Sequence, residues 1–261
     1  MTQSGFSGLR VAAFESRMAE EMGNLIRRYG GEPLVAPALR EIPLEDMTEV
    51  LQCGQMLLDG RFHLLILLTG VGTRTMLQVW HTRHAPESIK AALTRTPLVV
   101  RGPKPLAVIK ALGLTPEISV PEPNTWRDLL GALDARAVND PAHSLRDQCI
   151  GVQEYGVSNP DLLQGLRDRG AQVIPIPVYR WALPEDTGTL RYTLNEVVQG
   201  RVDVVLFTNA AQVDHLLVVL RQDPRPDCTV ERFREVLQRM VVASIGPTAS
   251  ERLHSHSLPV D

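Results

Sequence analysis

The chain has 261 residues, 44% of them hydrophobic, and a formal net charge of −3 at pH 7. This length fits one large domain or two of about 130 residues, and the small negative charge argues against binding to nucleic acid or to an acidic membrane surface. The sequence has no signal-peptide pattern at its N-terminus and no apolar run of the roughly 18 residues that a membrane span needs, so we expect a cytoplasmic globular protein.

The first part of the chain alternates short apolar strands with amphipathic helices. The predicted strands lie at residues 9–14, 32–36, 62–68 and 97–101. The predicted helices begin near Met18, Met47, Gly72, Pro86 and Pro105. Residues 118–124 are rich in proline and predict a loop, and a short helix over residues 126–133 follows it. Because strands and helices alternate, the pattern predicts an α/β fold with a parallel sheet.

The second half of the chain repeats the first. The apolar strand that follows Arg201 repeats the one that follows Arg61, at an offset of 140 (201 − 61). The Gly246-Pro247 turn repeats Gly102-Pro103 at an offset of 144 (246 − 102). A strand at residues 149–153 likewise repeats the first strand of the chain. Matching segments in the same order at nearly one offset indicate an internal duplication.

A duplication of this kind allows two arrangements. Either each half folds alone, or the halves exchange their first strand-helix-strand unit. Two proline-bearing strands at matched positions, 33–43 and 175–184, predict a pair of connectors and favour the exchange. We therefore predict two similar parallel-sheet lobes of the Rossmann or flavodoxin-like type, joined by a two-stranded connector. Lobe 1 would comprise residues 1–38 and 180–261, and lobe 2 would comprise residues 39–179.

Several catalytic motifs are absent from the sequence. No GxGxxG follows the first strand, and no P-loop, HExxH or GxSxG motif occurs. These absences argue against nucleotide cofactors and serine hydrolase chemistry. The cysteines lie far apart, and no Cys, Asp or Glu completes a coordination set beside the close histidine pairs, so we predict neither a disulfide nor a metal site.

Four polar turns follow predicted strands and form the candidate binding site. Their residues are Thr69, Gly70, Val71, Arg101, Gly102, Lys104, Thr208, Asn209, Ala210, Gly246 and Thr248. Such turns can simply end strands, but in open α/β sheets ligands bind at this edge. Backbone N–H groups at helix starts, hydroxyl groups and the two cations suit carboxylates. We therefore predict a cleft between the lobes for a small molecule that bears several carboxylates.

Tyr179 lies on the second connector and is the candidate catalytic residue. Its phenol could donate a proton to a leaving group, or its ring could simply pack as a half-buried aromatic side chain on the hinge. Tyr155, in the first strand-helix turn of the second half, is the rival candidate.

Three short motifs resemble those of one enzyme family. They are the turn Phe207-Thr-Asn-Ala210, the pair Val178-Tyr179 and the segment Ile245-Gly-Pro-Thr-Ala249. In these motifs, and in their order and spacing over nearly the whole chain, the sequence resembles the uroporphyrinogen-III synthase family. The family consists of cytoplasmic lyases of tetrapyrrole (heme) biosynthesis, so the resemblance implies two α/β lobes with the exchanged arrangement.

The resemblance also implies a substrate and a reaction. The substrate would be hydroxymethylbilane, a linear tetrapyrrole, and the enzyme a cyclising hydro-lyase without a cofactor. Loss of the terminal hydroxyl gives an azafulvene-type electrophile, and closure through a spiro intermediate gives uroporphyrinogen III with ring D inverted. Tyr179 falls where the family has an important tyrosine, which would assist the departure of water. The chain departs from the family at Asn209, where Ser is usual, and at Lys104-Pro105, which replaces the Thr-Ala that Thr248-Ala249 retains.

The alternative hypothesis is a two-lobed ligand-sensing or regulatory module that keeps the cleft and lacks the chemistry. Tyr179 and Thr248 favour the enzyme, and the sequence has no helix-turn-helix or basic segment of a transcription factor. A nucleotide-sugar transferase with two Rossmann-like lobes lacks any recognisable donor site. We expect a monomeric enzyme with a small-molecule substrate and no nucleic-acid or membrane partner.

Overall fold

The computed structural model describes residues 5–154, 156 and 158–261. Their strands are, in chain order, β1 (Arg10–Ala13), β2 (Glu32–Val35), β3 (Arg40–Pro43), β4 (Leu64–Leu67), β5 (Leu98–Val100), β6 (Ile118–Ser119), β7 (Cys149–Gln153), β8 (Gln172–Ile176), β9 (Tyr179–Ala182), β10 (Val204–Phe207) and β11 (Val241–Ser244). Their helices are α1 (Ala19–Arg28), α2 (Thr48–Leu58), α3 (Gly70–His81), α4 (Pro86–Arg95), α5 (Pro103–Ala111), α6 (Trp126–Asn139), α7 (Pro160–Asp168), α8 (Gly188–Val198), α9 (Ala210–Arg221), α10 (Val230–Leu237) and α11 (Pro247–Ser255).

The described residues fold as two compact units. Unit 1 holds the described chain up to Arg40 together with Trp181–Asp261, and unit 2 is Glu41–Arg180. Each unit has its own parallel sheet, and β3 pairs with β9 in a separate two-stranded sheet where the chain passes from one unit to the other. The predicted α/β class, with two parallel-sheet lobes and a two-stranded connector, is therefore confirmed.

Within the described residues of unit 1, four strands pair in the order β11-β10-β1-β2, all of them parallel. β1 lies inside this sheet, and its Val11 is the partner of Val204 in β10. The largest buried side chains of the core include Phe14 and Phe207, whose ring centroids lie 5.6 Å apart. A central strand of unit 1 thus has neighbours from opposite ends of the chain.

Within the described residues of unit 2, five strands pair in the order β6-β5-β4-β7-β8, again all parallel. All four side chains of β4 are buried, as expected for a parallel strand that is covered on both faces. Trp80 of α3 is fully buried, and its Nε1 donates a 2.7 Å hydrogen bond to the carbonyl O of Val50 in α2. A Cβ on Gly54 would lie 2.7 Å from Trp80 Cδ1, so this glycine makes room for the indole ring.

The repeat is regular in the structure. The first residues of α3 and α9 differ by 140 in number (210 − 70), as do those of α2 and α8 (188 − 48). The first residues of α5 and α11 differ by 144 (247 − 103), as do those of α4 and α10 (230 − 86). The offset changes because the loop after α9, residues 222–229, is longer than the loop after α3, residues 82–85. The two offsets in the sequence therefore come from one longer loop.

Four elements differ from those predicted. α3 begins at Gly70, ahead of the predicted Gly72, because Thr69 caps it. Ile118–Ser119 forms β6 in the stretch predicted as a loop, because its backbone pairs with β5. α5 begins at Pro103, ahead of the predicted Pro105, since proline suits the first helical position. α6 continues to Asn139, beyond its predicted end at residue 133.

A buried carboxylate holds the longer loop after α9. The side chain of Asp223 is 2% exposed, and it accepts hydrogen bonds from Arg225 (2.7 Å) and Arg191 (3.2 Å). The hydrogen bond from Arg225 is the main reason that the pKa of Asp223 is lowered to about 2. This carboxylate is therefore charged at neutral pH.

Asp223→Asn is expected to lower the free energy of unfolding by about 1–2 kcal/mol at pH 7, because charge-assisted hydrogen bonds from two arginines are weakened. Since the folded-state pKa lies below the unfolded-state pKa, the wild-type carboxylate stabilises the fold above about pH 4, and this stabilisation is lost as the pH falls toward 2. Urea unfolding at several pH values measures both effects. The exposed Asp227→Asn is the control, and equal unfolding of the two variants would contradict the prediction.

Candidate functional site

In unit 2, two of the predicted turns lie side by side. The N–H of Arg101 donates a 3.0 Å hydrogen bond to the carbonyl O of Leu67, so the residues that follow β4 and β5 are neighbours. A Cβ on Gly70 would lie 2.8 Å from the carbonyl O of Lys104, so glycine lets α3 begin this close to α5. Gly102 has a φ of 85°, in the left-handed region that favours glycine. The structure therefore brings the two predicted turns of this unit together.

A buried glutamine binds two backbone donors of the turn after β4. Gln153, fully buried at the end of β7, accepts hydrogen bonds at Oε1 from the N–H groups of Leu68 (3.2 Å) and Thr69 (3.1 Å). Thr69 caps α3, since its Oγ1 accepts a 3.1 Å hydrogen bond from the N–H of Gly72. The first two N–H groups of α3 have no acceptor within the helix, as at the start of any α-helix, and such groups can bind an anion.

In unit 1, the other two predicted turns are also neighbours. The N–H of Ile245 donates a 2.9 Å hydrogen bond to the carbonyl O of Phe207, which places Gly246 beside the turn after β10. Asn209 caps α9, because its Oδ1 accepts a 2.9 Å hydrogen bond from the N–H of Ala211. The predicted residues at the starts of α9 and α11 are Thr208, Asn209, Ala210, Gly246 and Thr248.

The carboxylate of Glu15 contacts the turn after β10, although the sequence motifs did not identify it. Thr208 Oγ1 donates a 2.6 Å hydrogen bond to Glu15 Oε2 and accepts one of 2.9 Å from Gln212 Nε2. Burial raises the pKa of Glu15, but hydrogen bonds from Thr208 and from backbone N–H groups of the next residues outweigh it, and the net pKa is lowered. A negative charge therefore lies beside the Thr208 hydroxyl at neutral pH.

The duplication is the signal that could have identified Glu15. Glu15 follows β1 and Glu154 follows β7, and these strands are equivalent in the repeat. Each glutamate accepts a 2.6 Å hydrogen bond from a hydroxyl group, that of Thr208 in unit 1 and that of Ser158 in unit 2. Each unit thus has a glutamate after the equivalent strand, and in unit 1 a carboxylate that binds beside Thr208 would meet a like charge.

Tyr179 begins β9 and is 6% exposed, so its ring is more deeply buried than in the half-buried packing that was the alternative to a proton donor. Further along β9, the ring of Trp181 has the guanidinium of Arg17 at 5.3 Å from its centroid, within cation–π range. Tyr155 lies outside the described residues. The role of Tyr179 as a proton donor stays a prediction.

Other reactive groups in the described part of the chain are dispersed. No group of three or more His, Cys, Asp or Glu side chains among these residues is arranged to hold a metal ion. The cysteines form no disulfide, and burial raises the pKa of the Cys53 thiol to about 11, which keeps it protonated at neutral pH. Of the described helices, none combines the length and the apolar character that crossing a membrane requires.

Known proteins share the sequence pattern of both units. The family model described as "Uroporphyrinogen-III synthase HemD" matches residues 20–261. "Uncharacterized protein YjjA" of Bacillus subtilis (strain 168) is 28% identical over 254 residues, which cover 97% of this chain and 89% of that protein.

Two crystal structures of uroporphyrinogen III synthase from the extremely thermophilic bacterium Thermus thermophilus share the fold. A mutant form gives a TM-score of 0.71 at 24% identity and covers 97% of this chain and 91% of its own. The wild-type protein gives a TM-score of 0.58 at 24% identity, with 97% and 90% covered. At this identity the likeness concerns the fold, whereas the family model spans most of the sequence. The chain therefore belongs to the uroporphyrinogen-III synthase HemD family.

Proposed function

We propose that this protein is a uroporphyrinogen-III synthase, which converts hydroxymethylbilane into uroporphyrinogen III by a dehydrating cyclisation that inverts ring D. The observation that supports this most strongly is the family match over residues 20–261, which reaches into both units. The geometry supports it as well, because each unit presents helix starts and hydroxyl groups at the ends of parallel strands, where carboxylates bind well.

In this proposal the turns hold the substrate. The cations Arg101 and Lys104 and the first N–H groups of α3 bind substrate carboxylates in unit 2. In unit 1, Asn209 and Thr248 supply further polar contacts at the starts of α9 and α11. The ionised Glu15 is a hydrogen-bond acceptor, so it suits the pyrrole N–H groups of the substrate better than its carboxylates.

The reaction requires a proton for the leaving hydroxyl group and control over which carbon of ring D closes the macrocycle. Tyr179 donates a proton to the terminal hydroxyl, which leaves as water. The substituted carbon of ring D attacks the azafulvene that results, and rearrangement of the spiro intermediate closes the macrocycle. The remaining catalysis is positional, because a substrate held in the right conformation closes by the less direct route. Backbone donors and hydroxyl groups suit this task better than a strong acid and base.

The isomer of the product tests the proposal. Freshly made hydroxymethylbilane is incubated with the protein, and the type I and type III macrocycles are separated by chromatography. We expect type III in proportion to the protein added, whereas the protein-free control gives the symmetric type I product of spontaneous closure. If only type I forms, the enzyme proposal is wrong, and binding of the substrate without turnover would favour the ligand-sensing module.

A further inference from the structure

The two units place a buried glutamine amide at the same point, but from different positions in the repeat. Gln153 is equivalent to Phe14 in the repeat. The pairing of β7 with β4 in unit 2 has the same register as the pairing of β1 with β10 in unit 1. Gln212 is equivalent to Gly72, at the repeat offset of 140 (212 − 72). Unit 2 therefore has glutamine at the end of the strand and glycine on the helix, whereas unit 1 has phenylalanine directly after the strand and glutamine on the helix.

In unit 2 the strand supplies the amide. Oε1 of Gln153 accepts from the N–H groups of Leu68 and Thr69, and its Nε2 donates to the carbonyl O of Glu154. Gly72 leaves the space for this side chain, since a Cβ there would clash with Gln153 Nε2. Because Gln153 is 0% exposed, its removal would leave two backbone donors without a partner.

In unit 1 the helix supplies the amide. Oε1 of Gln212 accepts from the N–H groups of Thr208 (2.8 Å) and Asn209 (3.2 Å), and with Asn209 it forms a capping box. Its Nε2 donates to the carbonyl O of Phe14 and to Thr208 Oγ1, both at 2.9 Å. Gln212 is 1% exposed. The equivalent pair of backbone N–H groups is thus satisfied in both units, although the amide comes from different elements.

We infer that Gln153 and Gln212 are positioning residues, which hold the turns after β4 and β10 so that the next N–H groups face the substrate. The identity of that substrate, hydroxymethylbilane, rests on the proposed function. Two consecutive N–H groups bound to one buried oxygen fix the peptide planes at the end of the strand, and these planes set the direction of the helix start. Since both amides are buried, they act through the backbone of the turns.

The chain itself supplies the design of the test. Three variants of the full chain are compared with wild type: Gln153→Leu, Gly72→Gln, and the double variant of Gly72→Gln with Gln153→Phe. The first removes the acceptor, and the second puts another amide where Gln153 already lies. The double variant reproduces in unit 2 the arrangement of unit 1. Amide hydrogen exchange at Leu68 and Thr69, the thermal midpoint, and KM and kcat for hydroxymethylbilane are measured.

We expect Gln153→Leu to accelerate exchange at Leu68 and Thr69 and to raise KM by roughly tenfold, with a smaller change in kcat. A turn that is no longer held weakens the hydrogen bond from its next N–H group to a substrate carboxylate, and the loss of one hydrogen bond to a charged group corresponds to a factor of this size. Gly72→Gln alone should lower the thermal midpoint. The double variant should recover most of the exchange protection and of the KM, a rescue that a general loss of stability would not show.

Two outcomes would overturn the inference. One is a Gln153→Leu variant whose amide exchange rates and KM equal those of wild type. The other is a double variant that regains neither the exchange protection nor the KM, and this comparison decides the matter even where Gln153→Leu does not fold. If wild type does not cyclise hydroxymethylbilane, the proposed function fails, while exchange at Leu68 and Thr69 still shows whether Gln153 holds the turn.

Discussion

Tyr179→Phe is expected to lower kcat for hydroxymethylbilane by about 100-fold or more, the usual contribution of a positioned proton donor. KM should change little, because the turns and not the phenol are proposed to bind the carboxylates. The substitution removes one oxygen from a side chain that is 6% exposed and keeps its ring, so the thermal midpoint should move by only a few degrees. Steady-state formation of the type III isomer and thermal unfolding by circular dichroism measure these quantities.

Tyr192→Phe is the matched control for this experiment. Tyr192 lies on α8 and is 55% exposed, so its variant should keep the kcat and the thermal midpoint of wild type. An unchanged kcat in Tyr179→Phe would remove Tyr179 from the mechanism. A large fall in the midpoint together with kcat would instead assign Tyr179 to the packing of the connector strand β9.

Trp80→Ala is expected to have the largest effect on stability, a loss of about 3–5 kcal/mol in the free energy of unfolding. The indole is fully buried, and its hydrogen bond to the carbonyl O of Val50 joins α3 to α2. Ordinary domains are stable by only about 5–15 kcal/mol, so a loss of this size would unfold much of the variant at low urea concentrations. Urea titration followed by far-ultraviolet circular dichroism measures it, with the exposed Tyr192→Ala as a control that should stay close to wild type.

The repeat provides a second comparison at the same site. Gly54 and Trp80 of unit 2 correspond to Leu194 and Leu220 of unit 1, each at the repeat offset of 140 (194 − 54 and 220 − 80), and both leucines are buried. Unit 2 thus fills this space with the small Gly54 and the large Trp80, whereas unit 1 fills it with two leucines of intermediate size. The double variant of Gly54→Leu with Trp80→Leu should be more stable than Trp80→Leu alone, and equal or lower stability would show that the units do not share this packing.

Local patterns were enough to predict most of the elements. The apolar run of β4, bounded by a turn, indicates a buried parallel strand, and Pro86 marks the start of α4. The very short β6 could not be predicted in this way, because its pairing with β5 defines it and no apolar pattern does.

The candidate site was predicted only in part. Thr69 and Asn209 occupy N-cap positions, where their residue types are common, and this local signal identifies them. Gln153 and Glu15 were not identified, because they contact groups that lie 85 and 193 residues away in the chain. The residues next to a glutamine or a glutamate at the end of a strand do not indicate which distant group its side chain contacts.

The sequence by itself determined the α/β class, the duplication and the resemblance to the family, because hydrophobic periodicity, capping residues and repeat spacing can be seen along a single chain. Only the tertiary structure decided which side chain satisfies the turn after β4. The parallel sheet of unit 2 places β7 beside β4, so the donors and the acceptor come from distant segments. A buried N–H group needs a partner, but the amide can come from the strand, as with Gln153, or from the helix, as with Gln212. The helix solution has a local sign, because Asn209 and Gln212 stand at the spacing of a capping box. The strand solution has none, because Gln153 lies 85 and 84 residues from the two donors that it binds.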